Sequence, residues 1–246
     1  MIIFRMKIVI IFILLIHVDI SRAGDANLVG VLPAISQTGR VTDVFDYNLF
    51  VSTTLNATDR TVDGRRFPAR DIQSYFQPSL IYKYSPQLNF AVAYVYQRTD
   101  PFNNDSTNEN RIFQQAIFST PVLMGNLYQR VRFEERFVTN NRTHETPLST
   151  RLRYMVGYNL PLQGERLDPG EFYVNTYNEF YFSTSGQRNA VYSEDWLYGG
   201  IGYSTGHMGN IEIGPMLQTS VIDTFGHRRN LFLLQVLWST NFDIFR

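Results

Sequence analysis

The feature that most limits the fold is the alternation of apolar and polar side chains, which runs through almost the whole chain after Thr42. Between Leu88 and Gln97, for example, large apolar residues stand at every second position, with mostly smaller or polar residues between them. Successive side chains of a β-strand point to opposite faces, so this two-residue period is typical of strands with one apolar face. No window of useful length shows the 3.6-residue period of an amphipathic helix. The chain is therefore predicted to be all-β.

Turn signals divide the alternating segments. Ser85-Pro86, Met124-Gly125 and Gly209-Asn210 predict tight connections, and longer polar loops lie between them. Short and long connections largely alternate, as they do in barrels with tight turns on one rim and extended loops on the other. About ten strands can be counted, each near or above the roughly 9–11 residues that a tilted strand needs to cross a bilayer. These observations predict a single antiparallel up-and-down transmembrane β-barrel of about ten strands, with about twelve as the alternative.

The N-terminal residues are predicted to be a targeting segment. Two basic residues precede the apolar run Ile8–Ile16, and small residues then lead to Ala23. This order is typical of a secretory signal peptide, and the run is shorter than the roughly 20 apolar residues of a transmembrane helix. We therefore expect a signal peptide over residues 1–23, export through the Sec pathway, and one barrel domain over residues 24–246.

The composition excludes several classes of protein. The formal net charge is zero, whereas nucleic-acid-binding proteins usually carry a basic surplus, so no nucleic acid is expected as a partner. The absence of cysteine excludes disulfides and a thiol nucleophile. Aromatic residues make up 15% of the chain, and Tyr and Phe suit both strands and membrane interfaces.

The alternation alone does not say which face of the strands points inward. A membrane barrel has an apolar exterior, whereas a secreted soluble barrel that binds an apolar ligand has an apolar interior. Arg and Glu cluster on single strand faces, Phe and Tyr are dense on the other faces, and the apolar final strand ends in Phe245 and Arg246. These features favour a barrel in the outer membrane of a Gram-negative bacterium, with its lipid bilayer as the partner. The soluble ligand-binding barrel is the alternative.

One segment, RVRFEERF from Arg130 to Phe137, shows what the polar face contains. Its second, fourth and eighth residues are apolar, and its first, third, fifth and seventh are charged. In a membrane barrel the charged face lines the lumen, where unpaired charges are costly and must form ion pairs. Glu135 falls on the lipid side, so we expect it near a rim. The predicted lumenal ion-pair network comprises Arg130, Arg132, Glu134, Arg136, Arg151, Arg153, Glu171 and Glu179.

Two roles are open for this network. It can fix the register of the strands and close a largely plugged lumen, which makes the protein a structural barrel. Alternatively, the lumen is a narrow, porin-like conduit or a recess that binds an anionic ligand through Arg.

Five segments of the sequence, taken in order, resemble a known protein family. They are RIFQQ (Arg111–Gln115), RVRFEERF (Arg130–Phe137), RLRYMVGYNLPL (Arg151–Leu162), NEFYF (Asn178–Phe182) and WLYGGIGYSTGHMGNIEIGPMLQ (Trp196–Gln218). The series resembles the bacterial family catalogued as domain of unknown function 2490, over about residues 41–245. Phe113 stands where that family usually has Trp. The resemblance implies an outer-membrane β-barrel with Arg and Glu on its strands, and it implies no activity.

The residues do not predict an enzyme. Beyond the signal segment the chain has three histidines, His144, His207 and His227, all in polar loops or turns. None is preceded by a nucleophile elbow or has the spacing of a metal-ligand pair, so we interpret them as solvated loop residues. No catalytic residue, cofactor or metal is predicted, and an outer-membrane lipid-modifying enzyme is the weaker alternative.

Overall fold

A computed structural model describes residues 25–62, 64–103, 106–186 and 190–243. The predicted signal peptide and the terminal residues Phe245 and Arg246 lie outside these ranges. The described chain forms one closed β-barrel, a two-stranded hairpin and a short 3-10 helix, Gly206–Met208. Among these residues, no helix has the length and apolar composition needed to cross a membrane.

The strands are numbered in chain order. They are β1 (Ala26–Arg40), β2 (Phe45–Asn56), β3 (Arg60–Val62), β4 (Arg65–Phe67), β5 (Arg70–Lys83), β6 (Leu88–Thr99), β7 (Thr107–Val122), β8 (Gly125–Asn140), β9 (Leu148–Pro161), β10 (Phe172–Ser185), β11 (Tyr192–Ser204), β12 (Asn210–Val221) and β13 (Arg228–Asn241). Strands β3 and β4 form the separate hairpin, and the other strands form the barrel in the order β1-β13-β12-β11-β10-β9-β8-β7-β6-β5-β2.

The all-β barrel is confirmed, but its strand count and pairing differ from the prediction. Within the described ranges the barrel has eleven strands, and β1 pairs in parallel with β13 while all other neighbours are antiparallel. An up-and-down barrel reverses direction at each strand, so an odd number forces one parallel pair. Strand β1 escaped the sequence count because Gly30 and Pro33 weaken its alternation.

The two faces of each strand differ in size and polarity. In β6, Ala91 and Ala93 point into the barrel and are 4% and 7% exposed, whereas Phe90 and Val92 point outward and are 41% and 52% exposed. Large apolar side chains stand on the outer face of each barrel strand. The outer wall of the barrel is therefore apolar, which matches the period of the sequence.

The lumen has two chemically different sides. The apolar side is formed by β1, β12 and β13 with a contribution from β11, and its buried residues are Leu28, Leu32, Ala34, Tyr198, Met216, Leu231 and Leu233. Phe67 of the β3–β4 hairpin packs against this cluster, so the hairpin folds over the mouth of the barrel. The charged side is formed by β7 to β11 and is described below.

The connections define two rims. The tight-turn rim carries residues 41–44, 84–87, 123–124, 162–171 and 205–209, and the hairpin rim carries the remaining connections, including the β3–β4 hairpin. The connection 162–171 departs from the expected alternation, since it is long and lies among the tight turns.

Candidate functional site

On the charged side of the lumen, the two-residue period of β8 places four charged side chains on one face. Arg132 and Glu134 are buried, whereas their neighbours Val131 and Phe133 are exposed on the outer wall. The segment therefore has the face assignment that its alternation predicts. Glu135 lies on the outer face, half-buried and opposite Thr150 of β9.

Glu134 is the centre of the ion-pair network. Its side chain is 0% exposed, and its carboxylate lies 3.1 Å from Arg111, 2.7 Å from Arg151 and 2.8 Å from Arg153. The Nη1 atom of Arg132 is further away, at 3.7 Å. A buried carboxylate is tolerated only when charge-assisted hydrogen bonds replace its hydration, and these arginines provide them.

Arg153 connects Glu134 to a second buried carboxylate, Glu179. Its Nε donates to Oε1 of Glu179 at 2.9 Å and its Nη2 donates to Oε2 at 2.6 Å. The same Nη2 donates to the hydroxyl of Tyr181 at 2.7 Å, and the guanidinium carbon lies 4.2 Å from the centroid of the Tyr181 ring. Arg130 of β8 also donates to Glu179, at 2.6 Å. Glu179 therefore joins β8, β9 and β10, three consecutive strands of the barrel.

Two further carboxylates extend the network toward the hairpin rim. Glu109 of β7 accepts from Arg111 at 2.7 Å and from Arg136 at 2.7 and 2.8 Å. Glu194 of β11 accepts from Arg151 at 3.2 Å, and also from the indole nitrogen of Trp196 at 2.7 Å. These contacts tie β7 to β8, and β9 to β11 across the intervening β10, through side chains.

Arg132 is held mainly by uncharged groups. Its Nε donates to Oε1 of Gln115 at 2.9 Å, and its guanidinium lies 3.8 Å above the centroid of the Phe113 ring. Phe113 therefore makes a cation–π contact with Arg132.

The comparison with protein families agrees with the resemblance seen in the sequence. The model of the family described as Protein of unknown function (DUF2490) matches residues 38–226. The chain belongs to the DUF2490 family. The match runs from the end of β1 through β12, so it contains the whole charged side of the lumen. No curated protein and no solved structure matches the chain.

In this DUF2490 barrel, the described ion pairs bring together seven of the residues predicted for the network. Glu171 is the exception, and its predicted place in the network is corrected. It lies in the connection before β10, where its carboxylate accepts a hydrogen bond from the backbone nitrogen of Asp168 at 3.0 Å. Its position in a loop at the tight-turn rim keeps it out of the strand alternation.

The sequence reasoning missed three members of the network: Glu109, Arg111 and Glu194. A signal was present for the first two, because Glu109 and Arg111 stand two residues apart on the face of β7 that also carries Phe113. Glu194 stands near the start of β11, where the preceding loop obscures the period.

The three histidines of this DUF2490 protein lie in three different connections, away from the network. His227 has Nδ1 2.6 Å from Oδ2 of Asp223 in the β12–β13 connection. Within the described ranges, no group of three or more His, Cys, Asp or Glu residues could hold a metal ion.

Proposed function

We propose that this protein is an integral β-barrel of the bacterial outer membrane, whose lumen is closed by its Arg–Glu network. The observation that carries the proposal is the inverted distribution of polarity: charged side chains are buried inside the barrel, and large apolar side chains cover its outside. Membrane barrels have this arrangement, with a polar interior and an apolar outer band.

The exposed apolar surface is too extensive for an ordinary soluble protein. On β13 alone, Phe232, Leu234, Val236 and Trp238 are all exposed on the outer face, and similar residues follow on the neighbouring strands. Soluble monomers rarely expose contiguous apolar patches larger than a few hundred Å². In the core of a bilayer these side chains contact hydrocarbon instead of water, and ring closure leaves no unpaired edge among the eleven described strands of the barrel.

Aromatic clusters on the outer face near both rims support the same conclusion. At the tight-turn rim, the ring centroids of Phe45 and Tyr82 lie 5.3 Å apart, and those of Phe172 and Tyr203 lie 4.9 Å apart. At the hairpin rim, the Phe182 centroid lies 5.7 Å from that of Tyr192. Tyr and other aromatic residues are enriched where a membrane meets water.

The soluble alternative requires an apolar interior for its ligand. Part of the lumen is apolar, but the side formed by β7 to β11 contains ion pairs that would oppose an apolar guest by their need for polar partners. These ion pairs favour a lumen that is closed at rest. The role that we propose is structural and non-enzymatic. A narrow conduit would require these pairs to separate.

The test is fractionation of expressing cells, followed by gel electrophoresis of the membrane fraction with and without boiling. The proposal expects the full chain in the outer membrane and a band that migrates faster when unboiled, because the closed barrel resists detergent. Recovery in the soluble periplasmic fraction without a heat-dependent shift would contradict it. Planar-bilayer recording of the purified barrel should then show no stable open channel at low voltage.

A further inference from the structure

The lumenal charges do not balance. Among the described residues, the network contains six arginines and four glutamates, which leaves two positive charges in excess. Arg229 and Glu212 also line the lumen and leave this difference unchanged. A buried charge without a partner is costly, so the excess needs a physical explanation.

The excess is concentrated at Arg132. Its side chain is 4% exposed, and the nearest carboxylate, Glu134, is already bonded to three other arginines. Only its Nε donates a hydrogen bond within the described chain, so the N–H groups of both terminal nitrogens remain available to donate to a ligand. Arg132 also lies directly opposite Arg153 of β9, and like charges in that position repel each other.

Arg130, two residues away on the same face of β8, has spare donors as well. One terminal nitrogen donates to Glu179, while its Nε is buried and has no hydrogen-bond partner among the described residues. Its side chain is 18% exposed, so this guanidinium borders space that solvent can reach. Two adjacent guanidinium groups with unused donors therefore face the same region of the lumen.

That region is a cavity of about 430 Å³, lined by both arginines. This volume falls within the range of roughly 300–1,000 Å³ that is usual for small-molecule sites. The lining also includes Leu32, Phe50 and Leu237 from the strands on and beside the apolar side of the lumen. The cavity thus combines a cationic wall with apolar side chains.

We propose that this cavity binds an oxyanion of the phosphate class through Arg130 and Arg132. Planar guanidinium groups donate paired hydrogen bonds that match the oxygens of such a group, and a dianion would neutralise an excess of two positive charges. The anion would also separate two like charges that stand on one strand face. The site lies inside the barrel, so it does not depend on whether lipid or water surrounds the outer wall.

Two sources can present this chemistry: a free phosphate or small organophosphate in the lumen, and the phosphate of a lipid headgroup. The purified full-length barrel, in an uncharged detergent and phosphate-free buffer, would be titrated calorimetrically with inorganic phosphate and with phenyl phosphate. Native mass spectrometry of the same preparation would detect any phosphate-bearing lipid that is retained. Phenyl phosphate tests whether the apolar lining contributes to binding.

The decisive variant is Arg132→Gln, compared with Arg66→Gln in the exposed hairpin. Saturable binding of one phosphate compound, or retention of one phosphate-bearing lipid, is expected in the wild type. Arg132→Gln should weaken that binding at least tenfold, and Arg66→Gln should leave it unchanged. Arg132→Gln removes an uncompensated charge, so it should still give a heat-modifiable barrel. Arg132→Lys retains the charge but loses the planar fork, so it should bind with intermediate affinity. It provides the comparison if the glutamine variant does not fold.

Three results would overturn the proposal. One is the absence of binding for both phosphate compounds together with the absence of a retained lipid. The second is equal affinity in the wild type and in the folded Arg132 variants. The third is an equal loss in Arg66→Gln, which would indicate a nonspecific charge effect. A soluble barrel that still binds phosphate would contradict the membrane proposal while supporting the anion site.

Discussion

The charged and apolar sides of one lumen are filled according to different physical rules. On the charged side, Glu134 contacts several arginines, so removing one group leaves several others without a partner. On the apolar side, Leu28 and Leu231 are packed by dispersion contacts that depend on volume rather than on a single partner. The difference suggests that the charged side specifies which strands meet, while the apolar side fills space around that arrangement.

The largest effect is expected from Glu134→Ala. The substitution leaves buried arginines without their shared carboxylate, and breaking a buried ion pair costs about 3–5 kcal/mol. The unfolding midpoint of the barrel in detergent, followed by the heat-dependent gel shift, would measure it. Glu135→Ala is the matched control, because that side chain lies on the outer face. Equal midpoints for the two variants would contradict the central place of Glu134.

Leu231→Ala tests the apolar side and should cost about 3 kcal/mol, because it leaves a cavity that neighbouring side chains fill only in part. Leu234→Ala on the outer face of the same strand should cost less, since surrounding detergent or lipid can occupy the space. The same unfolding assay would compare them. A greater loss in Leu234→Ala would mean that the apolar cluster inside the barrel contributes little to stability.

Replacing Arg153 by lysine keeps the charge and removes the planar fork. Arg153 donates four hydrogen bonds, to Glu134, Glu179 and Tyr181, and lysine cannot reproduce their geometry. A loss of about 1–3 kcal/mol is expected. Arg132→Lys, directly across the strand pair, should change stability less, because Arg132 donates a single hydrogen bond to Gln115. No measurable loss in Arg153→Lys would show that charge alone, rather than the fork, stabilises this side.

The smallest effect is expected at the hairpin over the mouth of the barrel. The hydrogen bond from Arg66 holds the pKa of the exposed Asp59 below its usual range. A lowered folded-state pKa contributes stability above the unfolded value, and this contribution is lost as the pH falls through the folded value. The difference in unfolding midpoint between Asp59→Asn and the wild type should therefore be small, and it should stay constant from neutral to mildly acidic pH, because both lie above the unfolded-state pKa. A clear shift in that range would mean that the hairpin is coupled to the barrel through this pair.

The two-residue period was enough to predict the barrel and the face of most charged residues, because a strand leaves each side chain only two directions. It could not select partners. Arg130 contacts Glu179 on β10 rather than Glu134 on its own strand, and that choice depends on register and barrel curvature. Glu171 was assigned wrongly because the period was extended beyond the end of the strand.

The parallel pairing of β1 and β13 has a consequence for assembly. The hydrogen bond between the backbone of Arg228 and the side chain of Asp25 joins residues 203 positions apart, and a contact of the same separation links Arg40 to Asp243. The ring can therefore close only after β13 has been synthesised and has paired with β1. A chain in which every strand pair except this one had formed would be an open sheet with two unpaired edges, and such edges are prone to pair with other chains. Closure of this seam, a contact of very high sequence separation, should be the slow step of folding.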